Sequence, residues 1–231
     1  MTARSPLPPK NRPRGKRPSR GPAWPWDDTP ANEKLIAANL ATARKAATAL
    51  GRVGRLPTAD DVRDWHIAAL SGVRVADSSV VGRFRGEDPG PTTAVAYVGL
   101  MAGLAPAGVP KAIHRFFRQL ASRVDQLDPR RDEDGGLSDD LYDDVLDLLA
   151  WVHGQWVRIH PFVNLNGSTA RLLTVSVAAY FGLPLPLPGK PRPTKTFGSG
   201  LGLSIEYGHA AGLQMAGTDE PMRLYLAQLL A

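Results

Sequence analysis

The chain has 231 residues, 43% of them hydrophobic, with 28 basic and 22 acidic side chains and no cysteine. That length suits one domain with a sizeable core, and the lack of cysteine excludes disulfides, thiolate nucleophiles and cysteine metal sites. No apolar run reaches the roughly 18 residues of a membrane span, and no apolar signal segment follows the basic start, so the expectation is a cytoplasmic protein with no membrane partner.

The charge is uneven. Residues 1–20 carry seven basic side chains and no acid, leaving 21 against 22 in the rest. Residues 1–30 therefore read as a basic, Pro-rich, disordered tail, able to touch nucleic acid or an acidic partner by charge alone. The tail's plainer reading is a solubilising extension. Trp24 and Trp26 at its end are expected to dock on the body. Residues 31–231 read as one mainly α domain, a helical bundle with a small β-hairpin flap.

Taken in order, residues 33–50 are Ala-rich with helical spacing. A second helix follows Thr58, with Asp60 and Asp61 in its first turn and Gly72 as its stop. Residues 73–90 have β-branched residues and turn formers, which suggests a strand pair. Residues 91–104 read as loop or short helix. Val109, Ile113, Phe116, Phe117, Leu120, Val124 and Leu127 recur at helical spacing, with Pro110 in the first turn. A charged loop separates this helix from SDDLYDDVLDLLAWVHGQWVRI, where Ser138 caps and acids 139, 140, 143 and 144 suit the positive end. TARLLTVSVAAYFG is apolar nearly all round and predicts a central helix. Five prolines then break the pattern over residues 184–193, and two closing helices are expected over residues 201–217 and 221–230. No strand–helix alternation supports a parallel sheet.

Between the two strongest helices lies HPFVNLNGSTAR, residues 160–171. Pro161 should push His160 to an extended backbone. Asn164, Asn166 and Gly167 favour a tight turn, and Ser168 or Thr169 should start the next helix. Free N–H groups there suit a phosphate, Arg171 in the first turn can clamp it, and His160 can take a proton from an attacking hydroxyl. Phe162 reads as core. The same residues also suit an ordinary loop, with His160 bonded to a backbone group and Arg171 paired with a surface acid.

The stretch resembles the signature of the Fic (Fic/Doc) family: His, any, Phe, any, Asp or Glu, Gly, Asn, Gly, Arg, any, any, Arg. His160, Phe162, Asn166, Gly167 and Arg171 match. Asn164 stands in place of the acid, Leu165 of a glycine and Ser168 of the first arginine. GRFR, residues 82–85, resembles the segment at the start of the family's flap. The resemblance implies a mainly helical fold and transfer of AMP from ATP to a protein hydroxyl with Mg²⁺. It makes His160 the base, Asn166 and Gly167 the anion-hole turn, Arg171 the second arginine and Asn164 the metal position. Because an amide carries no charge, Mg²⁺ at Asn164 would be weak. Ser168 and Thr169 offer hydroxyls to a phosphate. Expected partners are ATP or another nucleotide or phosphodiester donor, a hydroxyl acceptor, protein or small molecule, and an antitoxin-like protein. A binding-only relative and a tail-driven nucleic-acid binder are the alternatives. Thr29 and Glu33 resemble the family's inhibitory motif, whose Glu pairs with the second arginine.

Outside the motif, His66, His114, His153 and His209 lack metal spacing and read as satisfied or exposed histidines, His153 as a surface residue. The tryptophans read as core or docking residues. Glu206 can approach a pocket, and Lys190, Arg192 and Lys195 either line an anionic channel or solubilise a loop.

Overall fold

The all-round apolar stretch becomes the central helix. In this computed structural model, which describes residues 29–87, 96–98, 101–132, 136–198 and 204–231, that helix, α5, is Asn166–Tyr180, buried from Ser168 through Ala179. Around it stand α1 (Pro30–Arg52), α2 (Ala59–Ala69), α3 (Val109–Leu127), α4 (Asp139–Ile159), α6 (Tyr207–Met215) and α7 (Glu220–Leu230). Residues 1–28, with Trp24 and Trp26, lie outside the described residues, while the last two residues read as tail, Thr29 and Pro30, cap and begin α1.

α5 packs most extensively on α1 and α4. The α1 contact is close: a Cβ on Gly51 would meet the Ser176 carbonyl at 2.1 Å, so glycine is what lets the helices touch there. One cluster of buried side chains draws on all seven helices among the described residues, which is how a helical bundle hides its apolar stripes.

Helix starts follow from local chemistry. The Thr29 hydroxyl accepts from the Asn32 N–H and Ser138 from the Leu141 N–H, while Thr58 and Asp61 form a reciprocal capping box. α2 stops at Ala69 with Leu70 as its cap, ahead of Gly72, whose φ of +71° supplies the reversal. α3 has the expected bounds, with Pro110 near its start.

The β structure falls elsewhere than expected. Residues 73–87 form no strand; they hold an isolated bridge residue, Val75, and a 3₁₀ turn, Ser78–Val80, while residues 88–90 of the expected strand pair lie outside the described residues. Val80, Phe84 and Arg85 are buried, because this segment runs under the α4–α5 junction. The hairpin comes afterwards, β1 (Tyr97–Val98) pairing antiparallel with β2 (Met101–Ala102), inside the stretch read as loop or short helix. A second hairpin, β3 (Thr196–Gly198) with β4 (Ser204–Glu206), takes the start of the stretch read as the first closing helix, so α6 begins only at Tyr207. Ile205 and Phe197 are cross-strand partners, with Phe197 packing on Tyr225.

Candidate active site

Two non-glycine residues among the described ones have positive φ, and both lie in the motif: His160 (φ 53°) and Leu165 (φ 60°). Left-handed backbone costs an L-residue about 1–2 kcal/mol, so each must be held by its surroundings. Pro161 does not make His160 extended. The residue caps α4 in the left-handed region, its N–H donating to the Trp156 carbonyl at 2.9 Å.

Arg85 holds that cap. Its main-chain N–H donates to the Pro161 carbonyl at 2.6 Å. Its guanidinium donates to the carbonyls of His160 (2.7 Å), Leu104 (2.8 Å) and Ile159 (3.1 Å). A fully buried cation thus sits at the negative end of α4. From the other side Gly103, just after β2, presses on the histidine; a Cβ there would lie 2.5 Å from His160 Cβ.

The His160 ring is oriented too. Nδ1 lies 3.2 Å from the Val157 carbonyl. A carbonyl only accepts, so Nδ1 carries the proton and Nε2 keeps a lone pair. Burial pushes the imidazole down to about 4; the Val157 bond opposes this and the Arg85 charge adds to it. His160 is therefore neutral at pH 7, the state a general base needs.

The loop behind it is fixed by side chains acting as peptide groups. Asn166 Oδ1 accepts from the Phe162 N–H and Asn166 Nδ2 donates to the Phe162 carbonyl, both at 2.8 Å. Phe162 is fully buried, stacked on His66 at 4.0 Å and beside Phe84 and Trp156. The Gly82 N–H donates to His66 Nδ1 at 3.0 Å. Burial lowers the His66 imidazole to about 4, opposed by the Asn164 backbone, although Nε2 finds no acceptor in hydrogen-bonding geometry.

α5 starts at Asn166, two residues earlier than Ser168, so Arg171 falls in its second turn. Leu165 is its cap and supplies no side-chain bond. The first acceptor taken by the helix is the Leu165 carbonyl, from the Thr169 N–H at 2.9 Å. The N–H groups of Asn166, Gly167 and Ser168 are the free donors that such a start presents to an anion.

The other expected site residues divide. Thr169 is fully buried and faces the core: its hydroxyl accepts from Trp156 Nε1 at 2.9 Å and lies 3.1 Å from the carbonyls of Leu165 and Asn166. Ser168 accepts from Arg171 Nη2 at 3.3 Å. Arg171 does not pair with a surface acid. Nε donates to the Pro188 carbonyl (2.7 Å), Nη2 to the Gly189 carbonyl (2.5 Å) and Nη1 to the Tyr207 hydroxyl (3.0 Å).

Asn164 is a poor fit for Mg²⁺. Its Oδ1 accepts from the Leu165 N–H at 2.6 Å and its Nδ2 is buried without a partner. No carboxylate lies in residues 160–171. No group of three or more His, Asp or Glu able to hold a metal occurs among the described residues. A hard dication wants several charged oxygens, and this donor set offers none.

Glu33 pairs with Lys190 and not with Arg171. Arg192 donates to the Gly208 carbonyl and, like Arg171, lies over the Tyr207 ring, while Lys195 covers Phe197. Glu206 is exposed at the start of α6.

Sequence reasoning missed the groups behind Arg171. His153 is fully buried, not on the surface. Its Nε2 lies 2.7 Å from the Tyr207 hydroxyl and its Nδ1 2.6 Å from Gln214 Oε1. Helical phase could have shown this: His153 follows Leu149 by four residues and precedes Trp156 by three, on the buried stripe.

Two clefts lie away from the motif. One of about 520 Å³ lies between α2 and α3, over Phe84 and Phe117. Another of about 480 Å³ lies between α1 and the C-terminal end of α5. No helix among the described residues is long and apolar enough to cross a membrane.

Comparison with known proteins places this geometry. A family model, the Fic/DOC family, matches residues 56–178, from the turn before α2 almost to the end of α5. Among solved structures the chain is similar to Fic-1 from C. elegans, at 22% identity and a TM-score of 0.55, over 85% of this chain and 47% of that one. It is also similar to a Fic domain containing signaling protein from Bacteroides thetaiotaomicron, at 16% identity and a TM-score of 0.57, over 88% and 70%. The chain thus spans about half the length of the first relative. No match was found among curated proteins. At these identities the two structures speak for the fold. The matched span includes the whole motif, all of α4 and all but the last two residues of α5, and the chain belongs to the Fic/DOC family.

Proposed function

We propose that the protein is a Fic-type transferase that moves a nucleotidyl or other phosphate-linked group onto a hydroxyl, with His160 as the general base. The observation that carries this reading is the state of His160. It sits in a strained backbone held by Arg85, with Nδ1 tied to Val157 and Nε2 left as a neutral lone pair. Strain retained on a histidine in its basic tautomer is what a functional site explains and an ordinary loop does not.

In this reading the donor phosphate lies on the free N–H groups of Asn166, Gly167 and Ser168, with Arg171 beside them. The acceptor oxygen attacks phosphorus as its proton passes to Nε2. The new P–O bond forms, the bond to the leaving group breaks, and that group departs with the electron pair. A bound phosphate would raise the proton affinity of His160 by its negative charge, bringing a depressed base into range only when donor is present.

The donor would carry fewer charges than a triphosphate. Asn164 and Ser168 remove the acid and the first arginine, and Arg171 already spends most of its donors within the fold. A phosphodiester or diphosphate donor needs less neutralisation than ATP. The test is mass spectrometry of products from ATP, other nucleoside triphosphates, CDP-choline and sugar nucleotides, with and without divalent cations. A product that disappears in His160→Ala supports the transferase. Donor binding with no product from any of them favours a second reading, a phosphate-binding relative without turnover, to which the same committed Arg171 donors point.

A further inference from the structure

Arg171 heads a directed chain of four side chains. Arg171 has five N–H groups in one plane. Nε donates one to Pro188, Nη2 donates to Gly189 and Ser168, and Nη1 donates one to the Tyr207 hydroxyl. One N–H is left, on Nη1. That nitrogen lies against the start of α5, since a Cβ on Gly167 would meet it at 3.4 Å.

Direction along the chain follows from the donors. Nη1 can only donate, so the Tyr207 oxygen accepts it and its own O–H goes to His153 Nε2 at 2.7 Å. His153 Nδ1–H then donates to Gln214 Oε1 at 2.6 Å. Gln214 Nε2 ends the run on the Ala150 carbonyl (2.8 Å) and Asp219 Oδ1 (3.0 Å). Asp219 is itself held by Arg158 at 3.1 Å. His153 and Gln214 are fully buried and Tyr207 is 2% exposed. Reversing any link would leave two donors or two acceptors facing each other, so the chain has one sense.

We propose that Tyr207, fixed by His153 and Gln214, is a positioning residue that turns the last N–H of Arg171 toward the free N–H groups of α5. This rests on the phosphate reading of that helix start. It gives α6, an element beyond the matched family span, a part in building the anion site. It also explains why a histidine, a tyrosine and a glutamine share one buried line where apolar residues would pack as well.

The experiment uses the full chain and inorganic pyrophosphate as probe. Tyr207→Phe removes only the hydroxyl and keeps the ring that packs on Tyr225. Losing one aligned donor to an anion should weaken pyrophosphate binding about tenfold by calorimetry. In ¹⁵N-arginine NMR, the Arg171 Nη1 hydrogens should be resolved and slow to exchange in the parent and averaged in the variant. A purely structural role would leave the pyrophosphate affinity alone. Unchanged affinity in Tyr207→Phe, with or without a change in the arginine signals, overturns the proposal. Absence of pyrophosphate binding in the parent overturns the phosphate reading itself, and with it the purpose assigned to Tyr207. If Tyr207→Phe does not fold, His153→Leu removes the acceptor of the tyrosine hydroxyl and is judged by the same two measurements.

Discussion

Replacing Arg85 by methionine tests how the strained histidine is held. The substitution keeps a long apolar stem and removes the guanidinium. Three carbonyls, of His160, Ile159 and Leu104, then lose the donors that reach them at 2.7, 3.1 and 2.8 Å. A buried acceptor left without a partner costs about 1–3 kcal/mol, so the gross loss is about 3–9 kcal/mol. Burying the cation has its own cost, visible as the fall in the Arg85 pKa on desolvation, and methionine is free of it. A net loss of about 3 kcal/mol is expected, a large part of the roughly 5–15 kcal/mol that holds such a domain together. In a chain of this size that lowers Tm by about 6–12 °C. Urea unfolding followed by circular dichroism gives the same quantity from the midpoint at constant slope. Arg85→Lys should recover less than half, because an ammonium cannot span three carbonyls in one plane. A loss under 1 kcal/mol in the methionine variant would refute the claim that this arginine holds the left-handed cap.

Three further outcomes follow from the same geometry. The folded state holds His66, His153 and His160 neutral, each down to about 4, while the unfolded chain takes up protons near 6.5. The unfolded state then binds more protons between those values, so stability is fully present above about pH 6.5 and falls as pH drops toward 4; urea midpoints at pH 7.5, 6 and 5 should decline, and a flat profile would contradict the burial of these rings. Thr169→Val leaves the buried indole N–H of Trp156 without its acceptor, so a loss of about 1–3 kcal/mol and a shift in tryptophan emission are expected; an unchanged melting curve would count against that bond. Asn164→Asp restores a charge at the metal position, and calorimetry with Mg²⁺ alone should show binding in the variant and none in the parent; equal behaviour would contradict the account of this donor set.

How much of this was legible in the sequence depends on how local the cause is. Caps, prolines and apolar spacing act over a few residues, so α3, α4 and α5 could be read with at most a three-residue error. The hairpins could not. Tyr97–Ala102 pairs two residues with two, and its place depends on Leu104 reaching the Arg158 carbonyl, a contact between segments far apart in the chain. His160 was misread because the rule for a residue before proline favours extended backbone, and here Arg85 and the end of α4 override it. Leu165 stands where the family's motif has a glycine, the residue that takes left-handed backbone most easily, and it is left-handed here. Arg85 stood in a quoted segment, but only the fold makes it a buried cation at a helix end. Tyr207 and Gln214 share a buried face of α6 seven residues apart, but His153 is far from both in sequence, and nothing local joins the two helices.

The central claim is that His160 acts as the base for transfer from a phosphate-linked donor. Its most direct test is to incubate the full chain with the donor panel and hydroxyl acceptors, then weigh the products for the parent and for His160→Ala. The alanine variant must first show a native melting transition. The account predicts a group of defined mass added to an acceptor by the parent, and its loss in the variant. Equal product from both proteins would contradict it.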